Sequence, residues 1–316
     1  MLSHLTDSEI ISLANLADHE INACIRKVGV GRRRLGEVRA VEAMVRLGMR
    51  MVARKWRRAG LLPCNLALQT IFTHATPKVF FVRQDGTDGF CELADLLIVI
   101  DDPHSTMLFE RRRAVLVQAK LHDPPGEIKL NSGNERVQFE LLSAWPSFKF
   151  QTSLYRPHGR DFNLGPPNVS WSGEYGGIEQ PPSGDWTQYH IFNAPFRKKP
   201  PIGGAVSLGT LLAGMLAGRP EYGRPATPLG RDPWSETVDE LLDVTFNLPL
   251  RDRQPTSKRG RAHLLAFSNL NRAAEVRLRQ SGVAADVPPL EYSGEEEWPD
   301  GAISIVRFLI GDTIEE

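Results

Sequence analysis

The sequence predicts a mixed α/β (α+β) fold, in which helices flank a mixed central sheet. The region Leu35–Ala59 carries apolar side chains at spacings of three and four, which is typical of a helix with one buried face. The pattern then changes to that of strands, at Lys78–Arg83, Leu96–Ile100 and Ala114–Lys120. A further helix is expected at Asn134–Leu142, so helix, strands and helix follow one another along the first half of the chain.

Individual signals support these elements. Thr6, Ser8 and Glu9 lie in a stretch that reads as a capping box, which predicts a helix from there to about Lys27. The strand Leu96–Ile100 is apolar without interruption, which predicts burial on both of its faces. The buried stripe of the second helix is predicted to consist of Val38, Val41, Val45, Met49, Val52 and Trp56.

The second half of the chain has a different texture. Residues 153–204 are rich in Gly, Pro, Asn and Trp, and we interpret them as an irregular insertion with short strands such as Thr187–Phe192. We therefore predict a core at residues 1–152 and an extension at residues 153–316. Further elements are expected as helices at Ser207–Ala217, Ser235–Phe246 and Asn271–Gln280 and as strands at His263–Phe267 and Ala302–Ile310.

Composition limits the class of protein. The chain has 316 residues, of which 41% are hydrophobic and 24% are charged, as in ordinary globular proteins. The cysteines Cys24, Cys64 and Cys91 have no zinc-binding spacing, so a zinc site is not expected. The first residues do not resemble a signal peptide, and no stretch has the length of a membrane helix. We therefore expect a cytoplasmic protein that makes no use of a membrane.

Charge is unevenly distributed along a chain whose formal net charge is +0. Between Arg32 and Arg58 there are ten basic residues and two acidic ones, whereas Asp286–Glu316 contains nine acidic residues and one basic residue. A nucleic-acid surface would therefore have to be local. The candidates are Arg50, Arg54, Arg57 and Arg58, together with a second basic set at Arg251, Arg253, Lys258, Arg259 and Arg261; the alternative is that these side chains only solvate the surface or pair with the acidic residues.

Three polar residues occupy the ends of two apolar strands. Asp95 precedes the apolar run of one strand, and Gln118 and Lys120 end the next. Because side chains of a strand alternate between faces, Gln118 and Lys120 point the same way and Ala119 points to the other face. If the two strands are antiparallel neighbours, Asp95 lies beside that pair.

These side chains suit phosphodiester hydrolysis. A hard divalent cation needs oxygen ligands, which the Asp95 carboxylate, the Gln118 amide and the Ala119 main-chain carbonyl can supply. Such a cation polarises a phosphate and lowers the pKa of water, and Lys120 can orient the attacking water or neutralise charge in the transition state. The alternative is that Asp95, Gln118 and Lys120 are ordinary polar residues at strand ends, without a role in catalysis.

The combination of Asp95 with Gln118-Ala119-Lys120 resembles the PD-(D/E)xK nuclease superfamily, in the QxK form seen in Mrr-like restriction nucleases. The resemblance covers roughly Leu35–Leu142. It implies a restriction-endonuclease-like core, a Mg²⁺ or Mn²⁺ cofactor, double-stranded DNA as substrate and a role in bacterial anti-phage defence or restriction. The departure from the family pattern is Gln118, which stands where the family usually has a second acid and removes one negative charge from the metal site.

The resemblance also implies two residues on helices. The family usually places a glutamate on the helix before the sheet, for which Glu37 and Glu42 are both candidates and Glu37 is favoured. Gln138, on the helix after the third strand, resembles a glutamine that some members direct toward the site. The predicted catalytic set is therefore Glu37, Asp95, Gln118 and Lys120, of which all except Lys120 are predicted metal ligands.

Two classes of function remain open. The first is a DNA endonuclease, acting with a defence-complex partner or as a homo-oligomer. The second is a non-catalytic subunit with a nuclease-like fold that binds nucleic acid or takes part in assembly, which Gln118 in place of an acid would favour.

Overall fold

A mixed central sheet with helices on both faces organises the chain, which confirms the predicted α/β (α+β) class. Among the residues described, no helix is both long and apolar enough to span a membrane. The computed structural model describes residues 2–29, 36–62, 64–73, 77–103, 105–107, 111–122, 133–162, 172–180, 185–190, 205–247 and 302–313.

The first helix, α1, spans Asp7–Gly29 and begins at the predicted capping box. The Thr6 main-chain N–H donates to the Glu9 carboxylate at 2.7 Å, and the Glu9 N–H donates to the Thr6 hydroxyl at 3.3 Å. These reciprocal bonds satisfy main-chain donors that a helix start would otherwise leave unpaired.

The second predicted helix is continuous but contains an irregular turn. It consists of α2 (Glu37–Ala43), a π-helical segment (Met44–Gly48) and α3 (Met49–Ala59). It ends at Gly60, whose left-handed conformation (φ 65°) suits a residue without a Cβ. The predicted stripe is confirmed, because Val38 is partly buried and its other members are fully buried in the core beneath this helix.

The strands form one large sheet and one small one. The strands are β1 (Cys64–Ile71), β2 (Lys78–Val82), β3 (Asp88–Glu92), β4 (Leu96–Asp101), β5 (Arg112–His122), β6 (Phe148–Phe150), β7 (Gly173–Glu179), β8 (Trp186–His190), β9 (Ala205–Ser207), β10 (Arg224–Pro225) and β11 (Ser304–Thr313). In the large sheet the order is β1-β11-β4-β5-β7-β8-β9, and the short β10 pairs with β5; the small sheet has the order β3-β2-β6.

The strand β11 lies between β1 and β4, antiparallel to the first and parallel to the second. The strands β7 to β9 extend the same sheet on the far side of β5. The central sheet therefore takes strands from both sides of residue 152, where the sequence predicted the core to end. What was interpreted as an irregular insertion contains strands of this sheet.

Two apolar cores lie on opposite faces of the central sheet. One contains buried side chains of α1, α2, α3 and α5 (Leu208–Leu216), and the other contains those of α4 (Gly133–Ala144), α6 (Pro233–Asn247) and the small sheet. Every residue of β4 is buried, which confirms the prediction for this strand.

The other predicted elements of the second half have mixed outcomes. The structure confirms the strand near Thr187–Phe192, the two helices between residues 207 and 247 and the last strand. The predicted strand His263–Phe267 and helix Asn271–Gln280 lie outside the described residues, as do Arg32, Arg33 and Arg34.

Candidate active site

The strands β4 and β5 are antiparallel neighbours, as the interpretation of the site required. Leu96, the first residue of β4, pairs with Val117, and Asp95 directly precedes it. The Asp95 main-chain N–H donates to the Val117 carbonyl at 3.1 Å, so the pairing continues up to the acid. The first acid and the QxK segment are thereby fixed against each other by the sheet itself.

Side-chain alternation along β5 places Gln118 on the face covered by α4. Leu116 contributes to the core on this face, whereas Val117 and Ala119 contribute to the core on the other face. Gln118 is almost fully buried, at 1% exposure, and Lys120 is partly exposed. Gln118 and Ala119 therefore lie on opposite faces, as predicted, and Lys120 contacts Glu37 of α2.

Asp95 is held through one of its two carboxylate oxygens. Oδ2 accepts hydrogen bonds from the Ala119 main-chain N–H, at 2.8 Å, and from the Gln118 side-chain amide. Partial burial raises the pKa of Asp95 to about 7, and the nearby Glu37 carboxylate contributes to this rise, against the opposing effect of Lys120. No hydrogen bond from another described residue reaches Oδ1, which is therefore available to a ligand.

Glu37, the first residue of α2, reaches the end of β5. Its carboxylate lies 3.3 Å from Lys120 Nζ and accepts from the Leu121 main-chain N–H at 3.4 Å. Of the two helix glutamates, Glu37 is thus the one beside the predicted site, whereas Glu42 pairs with Arg46 at 2.5 Å on its own helix. The helix start positions the acid because α2 packs across β5.

The charges of Glu37 and Lys120 depend on each other. Burial raises the pKa of Glu37, although Lys120 opposes this rise. Burial acts to lower the pKa of Lys120, but Glu37 and Asp95 outweigh it, and the pKa of Lys120 is raised overall. Lys120 is therefore a stable cation at neutral pH, beside two acids whose charge is only partly compensated.

Gln138, from α4, completes the buried part of the site. Its side-chain nitrogen donates to the Glu92 main-chain carbonyl at 3.1 Å and to the side-chain oxygen of Gln118 at 2.5 Å. The sequence suggested Gln138 only through the family resemblance. The Glu92 carbonyl and the Ala119 and Leu121 N–H groups were not anticipated as partners, because main-chain groups carry no residue-specific signal.

The donors present suit a hard cation with few protein ligands. No group of three or more His, Cys, Asp or Glu residues that could hold a metal ion occurs in the described part of the chain. Mg²⁺ commonly keeps several waters and takes only one or two carboxylates from the protein, and Asp95 and Glu37 are the two acids available here. Burial is the main cause of the raised pKa values of both acids, and a cation bound beside them would offset this effect.

The predicted arginine surface lies along the same helix as Glu37 but far from it. Arg54, Arg57 and Arg58 are exposed, and Arg50 is partly buried, with its pKa lowered by burial and by Arg54. At roughly 1.5 Å per residue, Arg50 to Arg58 lie about 20–32 Å along the helix from Glu37. The second basic set, from Arg251 to Arg261, lies outside the described residues.

The opposite end of β4 and β5 carries a separate ionic cluster. Asp101 pairs with Arg112 and with Arg307, both at 2.5 Å, and Arg112 also pairs with Asp239. Here the strands border a polar cleft of about 690 Å³, which Arg112, Asp239 and Arg307 help to line. Because its acids and bases are already paired, this cluster is best explained as a clamp between β4, β5, β11 and α6.

Comparison with protein-family models, with curated proteins and with solved structures finds no match to this chain. The assignment of the site therefore depends on its own residues and on the resemblance that they carry.

Proposed function

We propose that this protein is a metal-dependent nuclease that hydrolyses phosphodiester bonds, acting as an endonuclease on DNA. The observation that carries the proposal is the convergence of four side chains at the same end of the neighbouring strands β4 and β5, namely Glu37, Asp95, Gln118 and Lys120. They come from one helix and two adjacent strands, in the order that the resemblance to PD-(D/E)xK nucleases implies.

The three charged side chains have defined tasks in this proposal. Lys120 supplies a fixed positive charge where a phosphate and its attacking water would lie, and Glu37 orients it. Asp95 presents Oδ1, the oxygen that no described residue occupies, and its Oδ2 is held by Ala119. A bound Mg²⁺ or Mn²⁺ ion would supply Lewis-acid chemistry to the phosphate and to water.

The fold is compatible with the proposal. An amphipathic helix precedes the antiparallel pair β4 and β5, and α4 then leads to β7, which is parallel to β5. This supports a restriction-endonuclease-like core, to which β11 and the strands after β7 are added. A role in bacterial defence or restriction rests on the resemblance alone.

A cleavage assay tests the proposal directly. Purified protein is incubated with supercoiled DNA, linear DNA and RNA, each with Mg²⁺, with Mn²⁺ and with EDTA. We expect metal-dependent nicking or linearisation of supercoiled DNA. Cleavage of RNA alone would change the substrate class, and no cleavage of any substrate by folded wild-type protein would contradict the nuclease assignment.

A second candidate is a non-catalytic subunit that binds nucleic acid or takes part in assembly. The observation that favours it is the buried Gln118, whose amide oxygen is already occupied by Gln138 and whose position adds no negative charge. Binding of DNA with unchanged affinity in wild type and Lys120→Ala, and without cleavage in any metal, would favour this candidate.

A further inference from the structure

The two buried amides of the site form a hydrogen-bonded chain with a fixed direction. Gln138 contacts the Glu92 main-chain carbonyl at one end, and Gln118 contacts the Asp95 carboxylate at the other. Between them, the nitrogen of Gln138 meets the oxygen of Gln118 at 2.5 Å. Both side chains are nearly inaccessible to solvent, at 6% exposure for Gln138 and 1% for Gln118.

The end groups decide which way each amide points. A main-chain carbonyl can only accept, so Gln138 must turn its nitrogen toward Glu92. The same nitrogen has a second hydrogen, and this hydrogen is donated to Gln118. Gln118 therefore turns its oxygen toward Gln138 and its nitrogen toward Asp95, which as a carboxylate also accepts.

The reverse orientation would break the chain. If Gln118 turned its oxygen toward Asp95, its nitrogen would face the nitrogen of Gln138, and two donors would oppose each other. If Gln138 also turned, its oxygen would face the Glu92 carbonyl, and two acceptors would oppose each other. Either arrangement leaves buried polar groups unpaired, which is costly where water cannot replace the partner.

We infer that Gln138 acts through Gln118 as a positioning residue for Asp95, and that Gln118 is a hydrogen-bond donor to this carboxylate and not a metal ligand. The inference deepens the proposed function, since it takes Asp95 as the acid that receives the cation. It departs from the sequence-based prediction that the Gln118 oxygen is a ligand.

The consequence for the site is that Asp95 offers a single oxygen. Oδ2 accepts from both Gln118 and Ala119, so it is committed to the protein. The second hydrogen of the Gln118 nitrogen is directed to the Ala119 carbonyl, at 3.5 Å, so this nitrogen is also fully used. In the proposed site, Asp95 would therefore hold a cation through Oδ1, and Glu37 is the other carboxylate that could contribute.

A double-mutant cycle on the full chain separates the two roles of Gln118. The affinity for Mn²⁺ alone is measured by titration calorimetry for wild type, Gln138→Leu, Gln118→Leu and the double variant. If Gln138 acts through Gln118, each single variant weakens Mn²⁺ binding by roughly tenfold, and the double variant is no weaker than the singles. The matched control is Gln69→Leu, which removes an amide bonded to Arg307 further along the sheet and should leave the affinity unchanged.

A ligand role for Gln118 predicts the opposite pattern. Gln138→Leu would then free the amide to turn, and Mn²⁺ binding would stay the same or tighten, whereas Gln118→Leu would weaken it. That pattern would overturn the inference.

A second measurement needs neither a variant that folds nor a metal. In wild-type protein with ¹⁵N-labelled glutamine, side-chain NH₂ exchange with solvent is followed by NMR without metal. We expect the Gln118 and Gln138 amide hydrogens to exchange slowly, and rapid exchange of both would contradict the chain of bonds. If the amide hydrogens exchange slowly and the mutant cycle gives the expected result, but no nuclease activity is found, the inference stands and the proposed function is rejected. Failure of the inference and failure of the proposed function are therefore distinguishable.

Discussion

Lys120 and Glu37 lie 3.3 Å apart, and their contact joins the end of a central strand to the first turn of a helix. Both side chains are partly shielded from water, which makes the pair less subject to screening than a surface ion pair. The positive charge of the site is therefore positioned by an acid that belongs to the same site.

Replacement of Lys120 should lower the cleavage rate without unfolding the protein. We expect Lys120→Met to lower the rate of DNA cleavage by about 10²–10³-fold, because the fixed positive charge is removed while the aliphatic stem is kept. Rates on supercoiled DNA and far-ultraviolet circular dichroism check this. The matched control is Arg46→Met, which removes a cation that pairs with Glu42, a residue of the helix that also carries Glu37. Normal cleavage by Lys120→Met would remove Lys120 from the site.

Asp95 should make the stability of the metal-free protein depend on pH. Its folded-state pKa, raised to about 7 chiefly by burial and then by Glu37, exceeds the ordinary value of 3.8 for an aspartate. Between these values the unfolded chain is ionised while the folded site keeps its proton, so stability falls as pH rises, by at most about 1.4 kcal/mol per pH unit, and levels off above the folded-state pKa.

Urea unfolding at pH 5 and pH 8 in EDTA tests this dependence, with Asp95→Asn as the reference that cannot titrate. The stability of Asp95→Asn relative to wild type should increase from pH 5 to pH 8. The same substitution should also abolish cleavage, since an amide replaces the carboxylate that receives the cation. A change of relative stability in the other direction would show that Asp95 is ionised at low pH and that the site already compensates its charge.

Metal preference should follow the oxygen-only donors. After treatment with EDTA and dialysis, we expect no cleavage, with recovery on addition of Mg²⁺ or Mn²⁺ and not of Zn²⁺, because no cysteine or histidine contacts Asp95 or Glu37 among the described residues. A supercoiled-plasmid assay measures this. Full activity of the metal-free protein would contradict the metal requirement.

The arginine surface of α3 should contact DNA at a distance from the cleaved bond. Arg54 lies about 25 Å along the helix from Glu37, which corresponds to roughly 7–8 base pairs of duplex. Changing Arg50, Arg54, Arg57 and Arg58 to Ala should weaken binding of long duplexes. The salt-dependence slope should also fall by about one unit for each phosphate that the variant no longer binds.

Duplex length provides the control for this prediction. Duplexes that extend fewer than about six base pairs from the cleaved bond should bind wild type and the arginine variant equally, because they do not reach the patch. Binding titrations at several salt concentrations measure both effects. Unchanged affinity and slope on long duplexes would place the nucleic-acid surface elsewhere.

The opposite end of β4 should contribute to stability and not to cleavage. Asp101 is buried between Arg112 and Arg307, so Asp101→Asn leaves one buried and one partly buried cation without their shared acid. We expect a decrease of about 3 kcal/mol in the free energy of unfolding, with the cleavage rate of the folded fraction unchanged. Chemical unfolding measures the change in stability, and single-turnover kinetics measures the cleavage rate. A lower rate with unchanged stability would assign the cluster to function.

The strand pair that carries the acid and the QxK segment could be predicted because its signals are local. Strand alternation follows from the side-chain period of two, and apolar runs mark β4 and β5 directly. The place of Glu37 in the site was implied only by the family resemblance, and its contact with Lys120 was not predicted, because both depend on how α2 crosses the sheet. The direction of the Gln138–Gln118 chain could not be predicted, because it is set by a main-chain carbonyl at Glu92.

The place of β11 in the sheet could not be predicted from the sequence, for a different reason. Its apolar pattern predicted a strand, but pairing with β1 joins residues that are far apart in the chain, such as Leu66 and Ile310. Nothing in the local pattern specifies a partner at that separation. The glycine-rich β7 was missed because glycine is unfavourable in strands, and it is tolerated at Gly176, where the Trp186 ring covers the backbone.

The late position of β11 in the chain has a consequence for biosynthesis. A ribosome completes β1, β4 and β5 long before residues 304–313 emerge, and until then β1 and β4 lack the strand that joins them. The strand β4, which follows Asp95 directly, therefore has β5 as a neighbour early in synthesis and gains its second neighbour only after residues 304–313 have been made.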